Sequence, residues 1–195
     1  LMREIMRNRL RKKPDYLLEE SFICAIKHTI KSLENNDRFF LATLMSIPGF
    51  SELESLFKEV DPINIYRESL NLQVLIGREI LQELRKMSDH LLLNINHKWP
   101  MGRGDRKLLG TVWSYLTLAG DIKVQKKCVE SISNSSMTIA RAALIALKPL
   151  GNDETEEASN LFYHLWRDNP IVLDSWFSYE ASRPCLLYTS PSPRD

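Results

Sequence analysis

At 195 residues and 22.6 kDa, the chain is long enough for one domain with a sizeable core. Its 44% hydrophobic and 26% charged content excludes a disordered or collagen-like protein. With 26 basic against 25 acidic residues the net charge is +1, so no global field draws in nucleic acid or an acidic surface.

Cys24, Cys128 and Cys185 are odd in number and far apart, which points away from a disulfide framework and toward a reducing, cytoplasmic or organellar compartment. No run of about 18 apolar residues exists to span a membrane. The chain opens on Leu1 without a signal-peptide pattern and reads as a fragment whose N-terminus is missing. Two regions are expected: a helical domain over residues 1–184, and a Ser/Pro-rich tail over 185–195, read as non-native in preference to a linker, where Pro191 and Pro193 forbid a helix.

Helix signals run in chain order. Pro14-Asp15 opens a helix with a stripe from Tyr16 and Leu17 through Phe22, Ile23, Ile26, Ile30 and Leu33. Phe39, Phe40, Leu41, Leu44 and Met45 predict a short buried helix that stops at Ile47-Pro48-Gly49. Asp61-Pro62 is the clearest start, an N-cap carboxylate followed by a proline at the first helical position. From there Ile63, Tyr66, Leu70, Val74, Leu81, Leu84, Leu91 and Ile95 predict one helix of roughly thirty residues, bent near Gly77. Gly77 itself is expected to cost about 1 kcal/mol against Ala.

After a loop over 97–105, Leu108, Leu109, Val112, Trp113 and Leu116 mark a helix over 106–119. Gly120-Asp121 predicts a tight turn into a helix over 122–132. Asn134-Ser-Ser136 predicts a cap for 137–147, a breaker follows at 149–152, and helices are expected over 153–166 and from Asn169-Pro170 onward. No period-2 strand is bounded by turn dipeptides. The expected fold is therefore all-α: antiparallel helix pairs stacked side by side as an α-solenoid, without an exact sequence repeat.

The chemistry-bearing residues do not converge on a motif. His28, His90, His97 and His164 are scattered outside H-E-x-x-H and read as solvated or core-edge residues. Cys24 lies four residues from His28 and reads as a small buried apolar residue rather than a nucleophile. Gly102-Arg-Gly104 lacks a preceding strand and a P-loop pattern, and reads as a solvent loop; Arg103-Gly-Asp105 is a chance tripeptide. The basic stretch from Arg3 to Lys13 reads as a solvated helix face. Asn134-Ser-Ser136 is a formal glycosylation sequon read as a helix cap. No catalytic, cofactor-binding or metal-ligating residue is expected, and neither nucleic acid nor membrane is an expected partner.

Several segments resemble one family. Asp105-Arg-Lys-Leu-Leu-Gly-Thr-Val-Trp-Ser-Tyr-Leu116 is similar to the R-x-L-x-N-x-x-L-x-Y-L helix of aminopeptidase N-type zinc enzymes, in their bacterial, plastid and apicomplexan branch. Asn134 to Leu144 resembles their N-N-M-T-D-x-x-A-A-L segment, Phe162-Tyr-His-Leu-Trp166 their F-Y-x-x-W, and Ile171 to Phe177 their L-V-x-D-K-W-F. Upstream, Thr43 to Pro48 resembles A-L-x-L-P, and Val60 to Arg67 resembles x-D-P-x-x-I-x-x-x-R. The likeness spans residues 40 to 183 in consistent order. Gly110, Ile139 and Ser175 stand where the family has Asn, Asp and Lys, at packing or cap positions.

The resemblance implies the C-terminal helical domain of a zinc metalloaminopeptidase that removes N-terminal residues from peptides. It implies zinc in the full-length enzyme and none bound by this part, with the catalytic domain of the same chain as partner. Peptides are the implied substrates of the whole enzyme. Neither G-x-M-E-N nor H-E-x-x-H occurs, so this part is expected to be inactive alone and to close the substrate chamber. Trp113, Trp166, Trp176 and Phe177 are expected core anchors. The alternative is a HEAT-like interaction module with no enzymatic parent.

Overall fold

The computed structural model describes residues 1–33, 36–59, 61–95 and 101–183. Among these residues there are eleven helices and no strand, which agrees with the expected all-α class. They are α1 Met2–Leu10, α2 Tyr16–Leu33, α3 Arg38–Leu44, α4 Phe50–Glu54, α5 Pro62–Glu79 and α6 Leu81–Asn94. Then come α7 Arg103–Leu118, α8 Ile122–Asn134, α9 Met137–Leu147, α10 Asp153–Trp166 and α11 Pro170–Ala181. The described residues form two compact units, one up to Asp121 and one from Ile122 onward.

The starts follow local chemistry. Asp61 Oδ1 accepts from the backbone N–H groups of Ile63 and Asn64, and Pro62 occupies the first helical position of α5. Asp37 caps α3, Asn152 caps α10, and Asn169 caps α11 ahead of Pro170. Ser136 departs from this pattern. It holds the extended N-cap backbone of α9, but its hydroxyl makes no capping bond and is buried without a partner.

In the first unit α7 is the central element and packs on α3, α5 and α6, while α1 packs on α2, α4 and α5. Its inward face is the one the sequence marks: Leu108, Leu109, Val112, Trp113 and Leu116 are all buried. α7 begins three residues earlier than expected, at Arg103, because Gly102 takes a left-handed conformation (φ 66°) that turns the chain into the helix.

The expected thirty-residue helix is two helices. It breaks at Ile80 (φ −118°, ψ 27°), which ends α5 and begins α6 and is itself fully buried. The break shifts the inward stripe. On α5 the buried residues are Ile65, Leu72 and Ile76, whereas Ile63 and Tyr66 are 75% and 45% exposed. On α6, Leu84 and Leu91 are buried as expected. Apolar residues occupy more than one face of α5, and only the packing against α7 chooses among them.

Gly77 lies at that contact. A Cβ there would sit 2.7 Å from the Tyr115 carbonyl oxygen and 3.3 Å from Ala119 Cβ, so glycine permits the close approach of α5 to α7. Gly77→Ala gains about 1 kcal/mol of helix propensity but overpacks the contact by about 1–3 kcal/mol. A net loss is expected in urea unfolding; a gain in stability would show that the two helices can separate freely.

In the second unit α8 and α9 pack on each other, α10 packs on both, and α11 packs on α10. Ile132, Ala140, Ala143, Leu147, Ala158 and Phe162 are fully buried. The expected anchors divide. Trp113 is 0% exposed, Trp166 and Trp176 are half-buried, and Phe177 is 54% exposed. The last is a correction: α11 is apolar around most of its circumference, and its packing on α10 leaves Phe177 uncovered, edge-on to Trp176. On α3, similarly, Leu41 and Ala42 are buried but Phe39, Phe40 and Leu44 are 40–49% exposed.

Candidate functional site

The residues that could carry chemistry lie apart. His28 on α2, His90 on α6 and His164 on α10 are exposed, and His97 lies outside the described residues. Cys24 is exposed, not buried as expected, because Ile23 and Ile26 turn the inward face of α2 away from it. Cys128 on α8 is fully buried, and burial pushes its thiol well above the ordinary value. Cys185 lies outside the described residues. Among the described residues, no three His, Cys, Asp or Glu side chains converge as a metal site.

The Gly102-Arg-Gly104 segment is a helix start and not a solvent loop. Arg103 and Lys107 lie over the Phe39 ring at 5.2 Å and 3.9 Å. Arg38 donates to Asp105 at 2.9 Å, and Gly104 lies close enough to Phe39 that a Cβ would meet its backbone nitrogen at 3.1 Å. All three residues of the Arg103-Gly-Asp105 tripeptide are thus engaged in packing α3 on α7.

The basic N-terminal segment is only partly solvated. Arg3 pairs with Glu52 and Arg7 with Glu4 near the surface. Arg9 instead forks onto buried Glu19 with bonds of 2.7 and 2.8 Å, and reaches Glu68 at 3.5 Å. This pair ties α1 to α2 and lies beside a cavity of about 550 Å³ whose walls include Tyr16, Ile23, Cys24 and Leu75. A second polar network joins α10 to α11. Trp176 Nε1–H donates to Ser159 Oγ at 3.0 Å, and the Ser159 hydroxyl donates to Glu180. Arg183 bridges Glu180 and Glu156, and these hydrogen bonds hold its guanidinium even more firmly protonated than usual. A smaller cavity of about 280 Å³ lies beside this network, between α9 and α11.

Tyr115 is a buried tie between α7 and the end of α3. Its hydroxyl donates to the Met45 carbonyl at 2.5 Å, and burial raises its pKa above the ordinary 10.0. Burial also raises Cys128 above 9.0 and Tyr179 above 10.0. Raised acid groups stabilise the fold fully below their unfolded values, and that stability is lost as pH climbs past them. Unfolding free energy should hold below about pH 9 and then fall with increasing pH. Tyr115→Phe should cost about 1 kcal/mol at neutral pH and flatten this alkaline slope. Urea titrations at neutral and alkaline pH check it; an unchanged slope in the variant would refute the role of Tyr115.

An all-α array of helix pairs defines a helical-repeat protein. The chain belongs to the family described as a domain of unknown function (DUF3458_C) with ARM repeats, which it matches over residues 1–186. It is 22% identical over 201 aligned residues to aminopeptidase N of Caulobacter vibrioides, covering 94% of this chain and 21% of that protein. It is 26% identical over 193 to aminopeptidase N of Haemophilus influenzae, covering 93% and 21%. The chain thus spans about a fifth of the length of these relatives. Among solved structures it is similar to Legionella pneumophila aminopeptidase A in complex with aspartic acid, at a TM-score of 0.74 and 17% identity, covering 94% of this chain and 23% of that one. At that identity the likeness is one of fold.

The expected resemblance to the helical domain of aminopeptidase N-type proteins is borne out, and the match reaches N-terminal of the motifs to include α1 and α2. The motif residues lie on α5, α7, α9, α10 and α11 and in the turn after α3. Sequence reasoning missed the Arg9–Glu19 pair and the Ser159–Glu180–Arg183 network. Glu180 and Arg183 are three residues apart, but the contacts that join one helix to another, Arg9–Glu19, Ser159–Glu180 and Glu156–Arg183, follow no helical spacing.

Proposed function

We propose that this chain is the helical wall of the substrate chamber in an aminopeptidase N-type zinc metallopeptidase, and that it takes no part in bond cleavage itself. The observation that carries the reading is coverage: nearly all of the chain aligns to about a fifth of aminopeptidase N. The rest of such an enzyme would supply the zinc ligands and the catalytic acid–base group, and peptides would be its substrates. What this part contributes is shape. Helices satisfy their own backbone hydrogen bonds, and a packed stack of them keeps its form without a ligand. Such a wall excludes folded proteins from a chamber while admitting slender peptides. Three carboxylates are spent on packing: Glu19 on Arg9, Asp121 on Arg85, and Glu180 on Ser159 and Arg183.

Two measurements test this. The reading frame upstream of Leu1 is expected to encode H-E-x-x-H; a frame without it would overturn the peptidase reading and leave a HEAT-like interaction module. The purified chain supplied with zinc should release no chromophore from an aminoacyl p-nitroanilide. Zinc-dependent release would overturn the non-catalytic role.

A further inference from the structure

The second unit holds a cavity whose polar lining is of one sign. It is a cleft of about 280 Å³ between α9 and α11, with Phe162 of α10 at its floor. α9 contributes Arg141 and, at its C-cap, Lys148; α11 contributes Ser175, Ser178 and, at its C-cap, Ser182, of which Ser178 donates to the Asp174 carbonyl and Ser182 to the carbonyls of Ser178 and Tyr179. Among the described residues, no carboxylate lines it. Among the described residues, Arg141 and Lys148 pair with no Asp or Glu side chain; the Lys148 ammonium donates only to Ser182 Oγ, at 2.7 Å. Tyr179 completes the wall. It is 7% exposed, and its hydroxyl is buried without a hydrogen-bond partner.

We propose that this cleft binds a small oxyanion of the phosphate class, as free phosphate or as the phosphate group of a small ester. Two cations and the Ser175 hydroxyl line the cleft, and no carboxylate among the described residues faces them there; such a set of donors is one that a tetrahedral oxyanion satisfies. The volume lies just below the ~300–1,000 Å³ of sites for drug-sized ligands, and so suits a small group. A phosphate carries more acceptor oxygens than a carboxylate, and matches the number of donors better. Burial lowers the proton affinity of Lys148, a cost that a bound anion relieves, and raises that of Tyr179, which keeps its hydroxyl a donor. Glu156 and Glu180 act on Tyr179 as well, but Arg183 holds both. The assignment is independent of the peptidase reading, since it concerns only the second unit.

Isothermal titration calorimetry on the full 195-residue chain, at constant ionic strength in chloride, tests it. Inorganic phosphate, glycerol 3-phosphate and acetate are the probes. Saturable binding of phosphate or its ester, with acetate weaker, is expected; whichever of the two binds more tightly identifies the source. Arg141→Gln should weaken the dissociation constant about tenfold or more, as should Ser175→Ala combined with Lys148→Gln. Circular dichroism in chloride confirms that the variants fold. No saturable heat from phosphate, equal affinity for acetate, or equal affinity in folded Arg141→Gln would each overturn the site.

Discussion

Cutting Trp113 to alanine is expected to remove about 3–5 kcal/mol of stability, the range for a fully buried aromatic. The indole is 0% exposed at the centre of α7, the helix on which α3, α5 and α6 pack. Its Nε1–H donates to Ser88 Oγ on α6 at 3.2 Å, and Ser88 is itself buried. Truncation therefore opens a cavity where three packing partners meet, and it strands the Ser88 hydroxyl. Ser88→Ala isolates the polar part: it leaves the indole N–H unsatisfied and should cost about 1–3 kcal/mol. Urea unfolding of both variants gives the comparison, with a thermal midpoint for Trp113→Ala lower by roughly 10 °C. A loss under about 1 kcal/mol for Trp113→Ala would mean that the first unit is not organised around α7.

The second large effect is electrostatic. Arg9→Ala should cost about 3–5 kcal/mol, because it leaves Glu19, with only 4% of its side chain exposed, without its cation. Replacing both partners together by methionine should cost far less, since desolvation of the charges largely offsets their attraction. Unlike the surface pairs Arg3–Glu52 and Arg7–Glu4, this contribution should resist added salt. The check is a double-mutant cycle in urea at low and high ionic strength. If Arg9→Ala and the double replacement lose equal stability, the carboxylate does not depend on its partner, and the pair is incidental to the packing of α1 on α2.

Much of the fold is readable from local pattern. Asp61-Pro62 and Asn169-Pro170 each place a side-chain acceptor and a proline where the first turn of a helix needs them, and helices begin there. The face of α7 is readable because it carries a single apolar stripe. α5 has apolar residues on several sides, and reading its stripe from Ile63 and Tyr66 selects the exposed side. Cys24 and Phe177 fail for the same reason: apolar character says that a residue can be buried, not that a neighbour is there to bury it. The candidate site in the second unit was not legible at all. Arg141, Lys148 and Ser175 look like ordinary surface residues until α9 and α11 are brought side by side.

By itself, then, the sequence determined that the chain is helical, where most helices start, and which family's motifs it carries, because capping and periodicity act within a few residues. Tertiary structure alone decided that α5 and α6 part at Ile80, that Gly77 must stay small against Tyr115, and that Arg9 spends its charge on Glu19. Each of these is set by an atom contributed from another helix, and the free energy of such a contact exists only once the two helices meet.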